Sequence, residues 1–142
     1  MASFAYDNFE YAVQEGTVVP ATDVFYVMLV GSGYTPSEGG DVYRSAVTAN
    51  EVPATGGYAT GGVSVSPTVS KNTSLHNVVI TLPGYTWASS TISAAYAVYY
   101  KHRGGLPSAD ELVAVVDFGG TVSSSGGNFV LNPSTITLNT AS

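Results

Sequence analysis

The chain has 142 residues, no cysteine and a formal net charge of −6, with only four Lys and Arg. That length suits one domain, 1–142, with a core of its own, while the missing cysteines exclude disulfides and thiolate chemistry. So few cations argue against nucleic acid as a partner, and a charged fraction of 10%, against about 25% in an average soluble domain, describes a neutral, hydroxylic, aromatic surface suited to burial against other proteins.

Met1–Glu15 has neither the basic start nor the apolar stretch of an export signal, so the expectation is synthesis in the cytoplasm without export. Residues Ser3–Glu15 predict an amphipathic helix with Ala5 or Tyr6, Phe9, Ala12 and Val13 on one face, Ser3 as N-cap and Gly16 as stop. Asp23–Val30 (DVFYVMLV) reads as a fully buried strand ended by Gly31-Ser32-Gly33. Its apolar part, Val24–Val30, is the longest such run and far too short to cross a bilayer, so no membrane partner is expected. A long loop over 31–62 follows, with a strand-like piece at Val42–Val47 and a glycine-dense end, Thr55–Gly62, whose four glycines call for positive φ or close backbone approach.

Val63, Val65 and Val69 alternate around Pro67, which marks an edge strand or bend. Leu75–Leu82 predicts another strand, and Tyr85–Ala88 carries Trp87, the sole tryptophan. The centre of the sheet is expected from Thr91–Lys101 and Glu111–Phe118, antiparallel strands joined by the long loop His102–Asp110. By the two-residue period, Ile92, Ala94, Tyr96, Val98 and Tyr100 share one face, and Leu112, Ala114, Val116 and Phe118 share another, with Val113, Val115 and Asp117 opposite. Apolar residues on both sides of the second run imply protein above and below it. Gly119-Gly120 and the tract Ser123–Gly127 predict a turn, before last strands at Asn128–Leu131 and Ser134–Leu138 around Pro133. One helix with seven to nine short strands predicts a mainly β, single-domain antiparallel sandwich, jelly-roll-like or barrel-like, with one short N-terminal helix.

No catalytic constellation, cofactor or metal set is legible. His76 and His102 have no ligand-like neighbours, no serine sits in a nucleophile elbow, and the glycine pairs lack the Lys-Ser/Thr of a phosphate loop. Asp110 and Glu111 are adjacent and would point to opposite faces of a strand, which does not suit paired acid and base work; they read as solvated loop carboxylates. Asn72-Thr73-Ser74 matches a glycosylation sequon by chance. Lys101-His102-Arg103 places half of all Lys and Arg at one point, either a basic contact or solubilising loop charge. Tyr34, Tyr43, Tyr58 and Tyr85 stand in loops, where tyrosine buries area at low entropy cost, and with Lys101, His102 and Arg103 form the candidate interface set.

The ordered set of a MASF-type start, Gly33–Pro36, Glu51-Val52, Thr55–Tyr58, Gly61-Gly62, Trp87, Ser90–Ile92, Tyr96–Lys101 and Val116–Gly120 resembles a family of small virion proteins of tailed bacteriophages. The resemblance spans nearly the whole chain and departs at Asn132-Pro133, which interrupts the last strand pair. It implies a structural protein without enzymatic role, bound to the capsid exterior as a decoration or cement protein. The implied partner is the major capsid protein, with a homo-oligomer expected. The alternative is a tail or baseplate component meeting tail proteins or a host receptor, including a glycan-binding module that stacks sugars on Trp87 and the loop tyrosines.

Overall fold

The computed structural model describes residues 3–139. The first two residues of the MASF start and residues 140–142 of the expected 1–142 domain lie outside the described residues. In chain order the elements are β1 (Phe4–Ala5), α1 (Asp7–Glu15), β2 (Phe25–Val30), β3 (Val63–Val65), β4 (Thr68–Asn72), β5 (Asn77–Leu82), β6 (Tyr85–Ser90), β7 (Ser93–Lys101), β8 (Leu112–Ser123), β9 (Gly127–Leu131) and β10 (Ser134–Asn139). All strand pairs are antiparallel. They form a five-stranded sheet in the order β1-β8-β7-β2-β3, a three-stranded sheet β10-β5-β4 and a two-stranded sheet β6-β9. The protein is thus mainly β with one short N-terminal helix, as the alternating runs predict, and its open sheets exclude the barrel-like variant.

The five-stranded sheet is buried on both faces. On one, Phe25, Val27 and Leu29 with Ala97 and Tyr99 pack against Ile80 and Leu82 of β5, Trp87 of β6, Phe129 of β9 and Ile136 of β10, with Phe9 and Ala12 of α1 in the same cluster. On the other, Met28, Val30, Val98, Tyr100 and Val115 lie under Tyr6 and under Tyr34 and Val47 of the long loop. Burial on both sides explains why β2 is continuously apolar rather than alternating, and each such Val, Leu or Phe contributes about 1.5–3 kcal/mol.

Two register shifts in the β7–β8 pair change which residues share a face. One lies between Ala94 and Tyr96 and the other between Tyr99 and Tyr100. At the first, Ala95 lies opposite four β8 residues, Phe118–Thr121, which include the positive-φ Gly119 and Gly120; at the second, Val113 of β8 is the extra residue, and each odd offset reverses the phase. Ile92 and Ala94 therefore join Ala97 and Tyr99 in the main core, while Tyr96, Val98 and Tyr100 face the long loop, so the expected five-residue face is split. The second shift places Leu112 with the loop-side cluster, and Val113 and Ala114 both in the main core.

Other boundaries move for local reasons. The helix begins at Asp7, not Ser3, because Phe4 and Ala5 pair with Val115 and Ala114. Ser3 instead accepts the Asp117 N–H on its Oγ at 2.9 Å. The stop is as expected: Gly16 takes φ 81° and its N–H reaches Val13 O at 3.1 Å. Val42–Val47 is no strand; it holds a 3₁₀ turn, Arg44–Ala46, and its backbone bridge to the sheet is Tyr43–Glu111. Strand β8 runs through Gly119-Gly120, so the turn expected at that pair falls only after Ser123. All four glycines of Thr55–Gly62 have positive φ, and a Cβ on Gly62 would overlap the Val27 carbonyl oxygen, so this loop lies directly on β2.

Candidate contact surface at the end of the central hairpin

Strand β7 ends at Lys101 and β8 starts at Leu112, so the 102–110 loop, the 17–24 loop and the Tyr43–Arg44 corner meet at one end of the sheet. Lys101 Nζ lies 2.8 Å from Asp23 Oδ2 and also donates to Thr17 O at 2.8 Å. Arg103 grips Glu111 through two parallel bonds, Nε to Oε1 at 2.8 Å and Nη2 to Oε2 at 2.7 Å, the fork geometry that makes such pairs strong. Beneath them Asp110, fully buried, accepts Arg44 Nε at 2.8 Å and the Arg103 N–H at 3.0 Å. Arg44 also lies over the Tyr100 ring, 4.8 Å from its centre. His102 stacks on Tyr26 at 4.1 Å, and its N–H binds Val24 O.

These contacts correct two expectations. The Lys101–Arg103 cluster is not a free cationic patch, since both charges are engaged by carboxylates of the same chain. Asp110 and Glu111 are not solvated, being 0% and 8% exposed. The electrostatics follow. Burial works to raise the Glu111 carboxyl, but the Arg103 hydrogen bonds override it and hold it below the usual carboxylate range. Asp23 is likewise held low, burial being outweighed by Lys101 and the Val19 N–H. Beside the exposed Arg103, Thr17, Thr22 and Ser108, this end presents four large apolar side chains outward: Val19, Val24, Tyr43 and Leu106 are 40%, 53%, 42% and 73% exposed. With its charges satisfied internally, such a surface can be covered by another protein without stripping water from unpaired ions.

The four candidate tyrosines divide, and Tyr85 stands not in a loop but at the start of β6, paired with Leu131. Tyr43 and Tyr85 remain exposed, but Tyr34 and Tyr58 are 4% and 3% exposed and are not surface anchors. Tyr34 donates to Asp41 Oδ2 at 2.6 Å and shares a 2.8 Å bond with the Tyr6 hydroxyl. Tyr58 donates to Glu51 Oε2 at 2.6 Å and receives the Leu29 N–H at 3.1 Å. Both phenols are pushed well up, by burial first and then by their carboxylate partners. These are the pegs that fasten the long loop to the sheet. Trp87 is 4% exposed and packed edge-on to Tyr85 and Phe129, so no sugar can stack on it.

Sequence reasoning missed Val19, Val24 and Leu106 as surface residues. An apolar residue in a loop of turn formers is the signal that marks Leu106; Val24 reads as the start of a buried strand. Among the described residues no group of three or more His, Asp and Glu is arranged to hold a metal ion. Comparison with family models, curated proteins and solved structures finds no match to this chain.

Proposed function

We propose that this chain is a non-enzymatic structural protein of a tailed-phage virion. It binds the capsid exterior as a decoration or cement protein, with the major capsid protein as partner. The observation that carries the reading is the end surface just described, where every cation is used within the molecule while Val19, Val24, Tyr43 and Leu106 stay exposed. The ordered resemblance over nearly the whole sequence supplies the virion context. Attachment through this end rests on apolar contact rather than on Lys101 and Arg103.

Pelleting with purified empty heads tests it. The parent is expected to co-sediment and to stay bound as salt is raised, because screening weakens exposed charge pairs and leaves apolar contacts in place. Val24→Asp with Leu106→Asp is expected to lose attachment while keeping the parental melt. A parent protein that stays in the supernatant, or that cryo-EM of whole particles locates on the tail, overturns the capsid reading in favour of the tail component.

A further inference from the structure

The three-stranded sheet has two free edges of opposite character. Strand β4 (TVSKN) is exposed at every residue and pairs only with β5. It carries Lys71, the one Lys or Arg without a carboxylate partner among the described residues, and Val69, 44% exposed. The other edge is β10. Beside it runs a groove between β10, β1 and α1, formed by a cavity of about 300 Å³ lined by Phe4, Leu82, Ala114 and Ile136 with Glu10 and Glu38. A second cavity of about 440 Å³, lined by Phe9, Val13, Leu138 and again Glu10, adjoins it. No cation of the described chain reaches Glu10 or Glu38.

We infer that the β10 groove is the seat for β4 of a second copy of this chain. Three observations converge. Both edges have unpaired backbone groups, which a neighbouring strand satisfies. The charges are complementary, one unpartnered lysine against two unpartnered glutamates. The parity of the side chains also agrees. Val69 and Lys71 lie opposite Ile80 and Val78, and Ile136 and Leu138 lie opposite the same two residues from the other side. All therefore share the inward face of the sheet, the face on which Ile80, Ile136 and Phe9 of α1 form one cluster. Docked on β10, Val69 covers the Ile136 floor and Lys71 turns toward Glu10. Both strands are antiparallel to β5, so they point the same way and a head-to-tail repeat pairs them in parallel. The contact is heterologous, the kind that closes into a ring or runs on as a filament. It goes beyond the virion reading and is independent of where the particle carries the protein.

Sedimentation of the purified protein over a concentration series tests it without any capsid, so its failure is separate from failure of the pelleting assay. The parent is expected to self-associate. Lys71→Glu and Glu10→Lys should each weaken association by about tenfold or more, because like charges then face one another. The double variant, Lys71→Glu with Glu10→Lys, should recover most of it. Both positions are exposed, so far-UV spectra and melts are expected to match the parent. A parent that stays monomeric throughout, association indifferent to both reversals, or a double variant no better than the singles overturns the inference.

Discussion

Asp110 shows how one side chain joins three segments. It has no exposed surface, and it ties Arg44 of the long loop and the Arg103 backbone of the hairpin loop to the start of β8. Asp110→Ala leaves the buried Arg44 charge unpaired, which is expected to cost about 3 kcal/mol and to lower the melting temperature by roughly 10 °C. A melt within about 2 °C of the parent would show that Arg44 finds water instead. Gly62 is the second such point. Its φ of 81° is one that L side chains rarely adopt, and an added Cβ would meet the Val27 carbonyl and, at 2.8 Å, Met28 Cα. Gly62→Ala is therefore expected to cost about 2 kcal/mol or more, read by denaturant titration, whereas Gly104→Ala, with positive φ but open space around it, should cost less. Acid acts on the neighbouring pairs. Glu111 and Asp23 have depressed folded values, so their contribution is present above the ordinary carboxylate range and is lost as pH falls through those folded values.

At the scale of elements, β2 and β8 were legible because apolar residues crowd both sides of each run, and the structure buries both faces. The central partner β7 was legible in extent but not in phase. The break opposite Ala95 is carried by β8, where Phe118–Thr121 hold the extra residues; its mark in the sequence is Gly119-Gly120, which reads as a turn, and nothing in TISAAYAVYYK itself shows it. The helix was legible through Phe9, Ala12 and Gly16, yet its start was not, because the pairing of Phe4–Ala5 with β8 is a tertiary contact that local pattern cannot carry. The same limit explains the candidate site. Lys101-His102-Arg103 reads as loose charge until the fold brings Asp23 and Glu111 to it, and Tyr34 and Tyr58 read as loop surface until the loop lies down on the sheet. The β7 assignment itself makes a sharp prediction. Val98 has no exposed surface, so Val98→Asp is expected to abolish the cooperative melt by burying an unpaired charge; a parental transition would contradict the strand's central place.

Across the whole molecule, five tyrosines are buried together with their phenol groups. Tyr6, Tyr34, Tyr58, Tyr99 and Tyr100 all have phenols raised from 10.0, chiefly by burial, Tyr99 to about 12. A raised folded value means that stability is complete below the unfolded pKa of about 10 and is lost as pH climbs through the folded values. Alkaline unfolding is thus expected to coincide with the phenolate absorbance of these five buried tyrosines, and a native far-UV spectrum at a pH where all ten tyrosines of the chain absorb as phenolate would contradict it. The order of strands in the five-stranded sheet bears on something different, the birth of the chain. Strand β2 is flanked by β7 and β3, so its FYVMLV run has no neighbour on its long side until residues near Tyr96–Lys101 leave the ribosome. At about 5–20 residues per second that is a wait of several seconds, during which the most apolar segment of the protein is an unprotected, sticky edge. Yield in the cell should accordingly depend less on the final stability of the fold than on how quickly translation crosses the stretch between β2 and β7.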